Sequence, residues 1–176
     1  MQEFSLTPRP KLLFSFQLAG SLPATDLSTN NRLEHVIIME KKEIVDQLNA
    51  ILRSEVSGIV RYLHYSFMLF GPNRIPVTTF FRAQATEGMT HAITVGEKIT
   101  ALGGHPTLKV DAVPESNKHG VIDILKESLA FEEEALRLYQ RLMELAEGDV
   151  ALEEMARQLI LAETTHIEEV RKMIQL

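Results

Sequence analysis

The sequence of 176 residues contains no cysteine and no tryptophan, and only 6% of its residues are aromatic. The lack of cysteine excludes disulfides, thiol catalysis, zinc fingers and iron–sulfur ligation, so carboxylates and imidazoles are the metal-binding side chains present in number. The few aromatic residues favour helices over β-strands, in which aromatic side chains are enriched. Any metal site in this protein is therefore expected to use oxygen and imidazole nitrogen ligands.

Long hydrophobic runs are also missing, because no apolar stretch reaches the roughly 18 residues that a transmembrane helix needs. Hydrophobic residues make up 45% and charged residues 24% of the chain, which is typical of a soluble globular domain. The 24 acidic residues outnumber the 18 basic ones, and this balance does not favour binding to nucleic acid. We therefore predict a soluble protein without a membrane or nucleic-acid partner. The lack of cysteine and of a convincing export signal favours the cytoplasm.

The first 40 residues differ in composition from the rest of the chain. Three prolines and a glycine interrupt their apolar segments, and a polar stretch follows at residues 28–31. We interpret residues 1–40 as an N-terminal extension that packs on its own domain or on a neighbouring subunit. Residues 41–176 then form the folded domain.

Four segments of that domain carry apolar residues at steps of three and four, the spacing of an amphipathic helix. The predicted helices cover residues 41–70, 78–102, 121–148 and 149–176. Thr78 or Thr79 is expected to cap the second helix, and Asp149 is expected to cap the fourth.

The connections between the predicted helices indicate the topology. Two short links join the first helix to the second and the third to the fourth, which favours antiparallel hairpins. The link at residues 103–120 can extend roughly 55 Å, more than the roughly 40 Å of a 27-residue helix. It can therefore cross the whole bundle. The sequence predicts an all-α bundle of two αα-hairpins joined by one long crossover.

An internal repeat relates the first helix to the third. The first helix has Leu48, Leu52, Glu55, Ile59 and Tyr62, and the third has Leu125, Leu129, Glu132, Leu136 and Tyr139 at the same offsets. Glu55 and Glu132 lie on the leucine stripe, so both are expected to point into the core. A buried carboxylate is costly unless it is paired or bound to a cation. The repeat therefore predicts two buried glutamates that need partners.

The expected partners lie on the second and fourth helices, as Glu87-Gly-Met-Thr-His91 and Glu163-Thr-Thr-His166. A Glu-x-x-His motif places a carboxylate and an imidazole one turn apart on one helix face. Two such helices facing two single-glutamate helices can hold two metal ions. The spacing from the buried glutamate to the histidine is 36 residues in the first half and 34 in the second, which indicates a pseudo-twofold site.

These residues resemble the bacterioferritin and Dps-like branch of the ferritin-like di-iron carboxylate superfamily, over about Lys41 to Leu176. The bacterioferritin-type pattern is Glu, Glu-x-x-His, Glu, Glu-x-x-His across four helices. The resemblance extends to Ala101–Leu108, at the end of the second predicted helix. It implies a ferritin-like four-helix bundle, two iron ions per subunit with manganese or zinc as substitutes, and a homo-oligomer that forms a hollow shell.

The resemblance also implies roles for individual residues. The implied metal ligands are Glu55, His91, Glu132, Glu163 and His166, with Glu163 as a bridging carboxylate. Tyr62 matches a tyrosine that the family keeps beside the metals, where it can hydrogen-bond a ligand or supply an electron. Met89 matches the methionine that binds haem between two bacterioferritin subunits. Methionine is also a common filler of core gaps, so both interpretations of Met89 stay open.

One position departs from the family pattern. Gly88 stands three residues before His91, where the family has its second bridging glutamate, and Glu87 is the nearest carboxylate. On a helix, the two positions lie on opposite sides of His91, about 60° and about 40° away. Glu87 therefore either binds a metal from a different angle or only forms a hydrogen bond, and the second case leaves an asymmetric or mononuclear site.

The function implied is that of a di-iron ferroxidase, which oxidises Fe²⁺ with O₂ or H₂O₂ for iron storage or detoxification. Oxygen-rich ligation with one imidazole per metal suits Fe²⁺ and Mn²⁺. Two alternatives are a ferritin-like redox enzyme acting on a small organic substrate and a non-catalytic assembly protein whose metal site is degenerate at Gly88. Only ten residues follow His166, whereas bacterioferritins continue into a fifth helix, so the number of subunits stays open.

Overall fold

The computed structural model describes residues 27–175, with side chains described from residue 38 onward. Four α-helices run through this part of the chain: α1 Leu27–Met68, α2 Arg74–Ala101, α3 Val121–Leu145 and α4 Val150–Ile174. Residues 27–175 contain no β-strand. The predicted all-α four-helix fold is confirmed.

The start of α1 differs from the prediction. The predicted N-terminal extension, residues 1–40, lies largely outside the described residues, but residues 27–40 belong to α1. The helix therefore begins 14 residues before Lys41. Among the described residues, no helix is both long and apolar enough to cross a membrane.

Two apolar clusters fix the directions of the helices. One cluster joins the middle of α1, the end of α2, the end of α3 and the start of α4, with Leu48, Ile99, Leu142 and Leu152 among its buried members. The other joins the opposite parts of the same helices, with Tyr65, Phe81, Leu125 and Val170. Helices α1 and α4 therefore run in one direction, and α2 and α3 run in the other. The connection at residues 102–120 crosses the length of the bundle, as predicted.

The start of α2 corrects the predicted cap. The helix begins at Arg74 rather than after Thr78 or Thr79, and Asn73 at the cap position makes no side-chain hydrogen bond to the helix. Pro76 stands in the first turn, where the N–H that proline lacks would have no helical partner. The Thr79 hydroxyl donates instead to the carbonyl one turn earlier, at 2.9 Å. Pro76 therefore belongs to the helix rather than preceding it.

The predicted cap of α4 is confirmed. The Asp149 carboxylate accepts a hydrogen bond from the Leu152 N–H at 3.0 Å. Gly148, just before it, has a φ of 90°, a conformation that glycine adopts without the steric cost of a Cβ. This turn joins α3 and α4 tightly and sets the register of α4, on which two of the predicted metal ligands lie.

Replacing Asp149 by alanine is expected to lower the free energy of unfolding by about 1 kcal/mol, because one N–H of the first turn loses its acceptor. Urea unfolding of the metal-free protein at one protein concentration measures the change. Asn73→Ala is the matched control, since Asn73 makes no such bond, and its effect is expected to stay within about 0.5 kcal/mol. Equal losses in the two variants would contradict the role of the Asp149 cap.

Candidate metal centre

The middle of the bundle, between the two apolar clusters, contains buried acidic side chains from three helices. Glu55 on α1, Glu132 on α3 and Glu163 on α4 are all buried. The imidazoles of His91 on α2 and His166 on α4 reach the same region and are largely buried. The structure therefore brings together the five residues implied as metal ligands by the sequence resemblance.

These side chains form two groups that share one member. Glu55, His91 and Glu163 offer ligand atoms within 4.8 Å of one another, and so do Glu132, Glu163 and His166. Each group has two carboxylates and one imidazole. Glu163 belongs to both groups, which is the geometry expected of a bridging carboxylate.

Two tyrosines connect the halves of the site reciprocally. The Tyr62 hydroxyl donates to Glu132, and the Tyr139 hydroxyl donates to Glu55 and lies 3.2 Å from Glu163 Oε1. Burial and the nearby carboxylates raise the pKa of both tyrosine hydroxyls well above 10.0, so both remain protonated donors. From the sequence only Tyr62 is assigned to the site. The repeat that matches Tyr62 with Tyr139 is the signal that identifies the second tyrosine.

Ionising all of the buried carboxyl groups of the site at the same time is energetically unfavourable. Burial, followed by the charge of nearby carboxylates such as Glu55, raises the pKa of Glu163 from 4.5 to about 7. Burial and the neighbouring Glu163 raise the pKa of Glu132 well above 4.5. These shifts show that the site holds more carboxylates than the protein alone neutralises.

One carboxylate oxygen of Glu163 indicates whether the site can accommodate cations. Glu163 Oε2 is buried, and within the described part of the chain it has no hydrogen-bond partner. A buried acceptor without a donor is rare in proteins and calls for an ion or water. Carboxylate oxygens with one imidazole per group match the preference of Fe²⁺ and Mn²⁺. The residues present therefore fit a pair of divalent cations.

Glu87 and Gly88 give α2 a different contribution from the one the family pattern implies. The Glu87 side chain is 42% exposed and lies outside both groups, with its carboxylate against the two imidazoles. A Cβ added at Gly88 would lie 3.3 Å from Glu55 Oε2. The Glu55 carboxylate therefore lies directly beside the position of the missing second bridging glutamate.

The nearby carboxylates influence the α2 imidazole. Burial lowers the pKa of His91, but the hydrogen bond and charge of Glu55, together with other nearby carboxylates, outweigh it. The pKa of His91 is therefore raised above 6.5. In the metal-free protein this imidazole readily takes up a proton, which a bound cation has to displace.

One aromatic side chain breaks the pseudo-twofold symmetry of the site. Phe131 lines it on α3, where the repeat places Ser54 on α1. A Cβ at Gly58 would approach Phe131 Cε1 to 2.9 Å, so only glycine leaves room for the ring there. The Arg61 guanidinium lies 4.9 Å above the same ring. One half of the site is thus covered by an aromatic ring and the other by a hydroxyl.

Met89 lies on α2 outside the bundle core. It is 52% exposed, and Ile93, one turn further along the helix, is 61% exposed. The interpretation of Met89 as a core gap filler is therefore wrong.

Comparison with known proteins identifies the family. The ferritin-like domain model matches residues 45–176, about three quarters of the chain. The protein belongs to the ferritin-like family. Among solved structures its neighbours include bacterioferritins, which supports the branch that the sequence resembles. None of the curated proteins compared with the chain matches it.

Three solved structures illustrate the likeness. A ferritin-like di-iron-carboxylate protein from Bacillus anthracis is 29% identical, with a TM-score of 0.71, covering 77% of this chain and 98% of that one. The Rhodobacter capsulatus bacterioferritin, whose dinuclear site is metal-free and which contains haem iron, is 26% identical, with a TM-score of 0.68 and coverage of 76% and 84%. A dodecameric thioferritin related to bacterioferritin from Bacteroides fragilis is 23% identical, with a TM-score of 0.69 and coverage of 75% and 84%. The last of these supports the fold alone.

Proposed function

We propose that this protein is a di-iron ferroxidase of the bacterioferritin or Dps type, which binds two Fe²⁺ per subunit and oxidises them with O₂ or H₂O₂. The observation that carries the proposal is the shared position of Glu163 between two groups of ligand atoms, each with its own imidazole. A site built for one cation would not need this second group. The proposed ligands are Glu55, His91, Glu132, Glu163 and His166.

The substrate iron and the oxidant balance as a two-electron reaction. Two Fe²⁺ ions release one electron each, and O₂ takes both electrons with two protons to give H₂O₂. With H₂O₂ as the oxidant, the same two electrons and two protons give two water molecules. Hard carboxylate ligands stabilise the Fe³⁺ product more than the Fe²⁺ substrate, which favours oxidation at this site.

The chain's own residues hold the acidic ligands in place. Tyr62 and Tyr139 each donate to the glutamate of the opposite half, so both carboxylates are oriented before metal binds. Tyr62 is the proposed catalytic tyrosine, which supplies an electron or donates a hydrogen bond beside the iron. The reciprocal contact of Tyr139 supports an equivalent role in the other half.

Assembly and haem binding extend this proposal. We propose a homo-oligomeric shell for this chain, as the family resemblance implies; the Bacteroides fragilis protein of the same fold is dodecameric. The exposure of Met89 leaves its thioether available for haem at an interface between two copies, as the resemblance implies. Manganese or zinc at the metal site and a cytoplasmic location stay predictions.

Anaerobic loading with Fe²⁺, followed by elemental analysis and O₂ uptake, tests the function. We expect two iron ions per subunit and one O₂ consumed for every two Fe²⁺ oxidised. Light scattering on the same sample measures assembly size, and a small oligomer would favour the alternative enzyme acting on an organic substrate. One ion or none per subunit would contradict the di-iron proposal and favour a degenerate site.

A further inference from the structure

We propose that Glu87 is a positioning residue rather than a metal ligand: its carboxylate accepts a hydrogen bond from the outer nitrogen of His166, lies near the outer nitrogen of His91, and so turns the inner nitrogen of His166 toward the metals. The inference rests on the proposed di-metal site. It assigns the carboxylate next to Gly88 a function that a bridging ligand does not have.

The contacts of Glu87 are the first support. Its Oε2 lies 3.1 Å from His166 Nε2, and its Oε1 lies 3.8 Å from His91 Nε2. The first distance is a hydrogen bond, whereas the second is too long for one. Each carboxylate oxygen thus faces a different ring, and the two rings come from different helices.

The opposite nitrogens are the second support. His91 Nδ1 lies 3.3 Å from Glu55 Oε1, and His166 Nδ1 lies 3.8 Å from Glu163 Oε2. Both rings therefore have the same orientation, with Nδ1 toward the buried carboxylates and Nε2 toward Glu87. Neither of the two ligand groups includes Glu87.

Tautomer chemistry turns this orientation into a function. A neutral imidazole has one N–H, and the nitrogen that binds a metal must be the one without it. A carboxylate only accepts hydrogen bonds, so Glu87 stabilises the N–H at Nε2 and leaves the Nδ1 lone pair free. Without Glu87, the acidic interior would draw the His166 N–H to Nδ1, because Glu163 lies on that side. The proton would then occupy the nitrogen that has to bind metal.

The first measurement is solid-state ¹⁵N NMR of histidine-labelled, metal-free protein at mildly alkaline pH. In the wild type we expect the Nε2–H tautomer for His166, whose Nε2 lies 3.1 Å from Glu87, with its signals assigned from His166→Gln. In Glu87→Ala we expect the His166 signals to shift toward the Nδ1–H tautomer. Glu87→Gln should restore part of the wild-type pattern, because its amide oxygen still accepts a hydrogen bond. An unchanged tautomer in Glu87→Ala would overturn the proposal.

The second measurement is an anaerobic titration with Co²⁺ as the probe metal. We expect Glu87→Ala to bind as many ions per subunit as the wild type, with affinity about 10- to 100-fold lower, the usual effect of losing such a partner. Glu97→Ala, an exposed glutamate on the same helix, is the control and should bind like the wild type. Loss of one ion in Glu87→Ala would show that Glu87 is a ligand and would overturn the proposal. If the wild type itself bound no pair of ions, the di-iron function would fail, while the NMR result would still decide the role of Glu87.

Discussion

Glu163→Gln is expected to abolish binding of both metal ions at once and to slow rapid Fe²⁺ oxidation by at least about a hundredfold. Glu163 is the one residue common to the two groups of ligand atoms, so its loss removes a carboxylate from each. Glutamine keeps nearly the same shape, so the bundle should still fold. Removing a residue that only hydrogen-bonds a metal ligand costs up to about a hundredfold in affinity or activity. Glu163 is itself a proposed ligand, so its loss should cost at least as much.

The contrast with a ligand of one group makes this prediction specific. Glu55 belongs to one group only, so Glu55→Gln should lose one ion and keep the other. Glu168→Gln, an exposed change on the same helix as Glu163, is the control and should bind two ions. Elemental analysis after anaerobic loading and stopped-flow absorbance of Fe³⁺ formation measure both effects. If Glu163→Gln kept one ion, as Glu55→Gln is expected to, the shared position of Glu163 would be contradicted.

The parts of the fold that the sequence predicts correctly depend on local signals. The Asp149 cap combines a side-chain acceptor with a preceding glycine, and both can be read from neighbouring residues. The start of α2 was not predictable in this way, because Asn73 caps without a side-chain bond and Pro76 lies within the first turn. The α1 segment before Lys41 was assigned to the N-terminal extension because its first residues, 28–31, form a polar stretch after the prolines, so the start of the helix was missed.

The buried glutamates were predictable because helical periodicity and the internal repeat both place Glu55 and Glu132 on an apolar stripe. The contact between Tyr139 and Glu55 depends on the antiparallel packing of α1 and α3. This packing places the tyrosine of the repeat in α3 beside the glutamate of the repeat in α1. The orientation of Glu87 depends on His166 from another helix. The spacing of residues along α2 does not by itself distinguish a metal ligand from a hydrogen-bond acceptor at Glu87.

The metal-free protein is expected to lose stability as the pH rises from about 5 to 8. The pKa of Glu163 is raised to about 7 in the folded state, so between its ordinary value and about 7 the folded protein binds more protons than the unfolded one. The free energy of unfolding must then fall with pH. The shift corresponds to about 3 kcal/mol for Glu163 alone, and the raised pKa of Glu132 acts in the same direction. This stability is fully present below the ordinary glutamate pKa and lost as the pH passes through the folded value.

Surface groups contribute an opposite trend, so the experiment needs a variant that isolates the site. The Gly148 N–H and Arg157 lower the pKa of the partly buried Glu153 at the surface, a group that favours folding at higher pH. Comparing urea unfolding of the wild type and Glu163→Gln, both with a chelator, cancels such surface terms. Glu163→Gln should be the more stable of the two, by a margin that grows by about 3 kcal/mol between about pH 5 and pH 8. A constant margin would contradict the raised pKa of Glu163.

Metal loading should reverse the order of stability of the wild type and Glu163→Gln. Bound cations neutralise the crowded carboxylates and add binding free energy to the folded state, and Glu163→Gln loses that gain because both ligand groups need the residue. With Zn²⁺ as a redox-inert probe, the wild type should therefore become the more stable protein near neutral pH. A glutamate that weakens the empty bundle and strengthens the loaded one is explained by metal binding, since a purely structural residue has no reason to cost stability. If Glu163→Gln remained the more stable protein in the presence of Zn²⁺, the buried acids would not be a metal site.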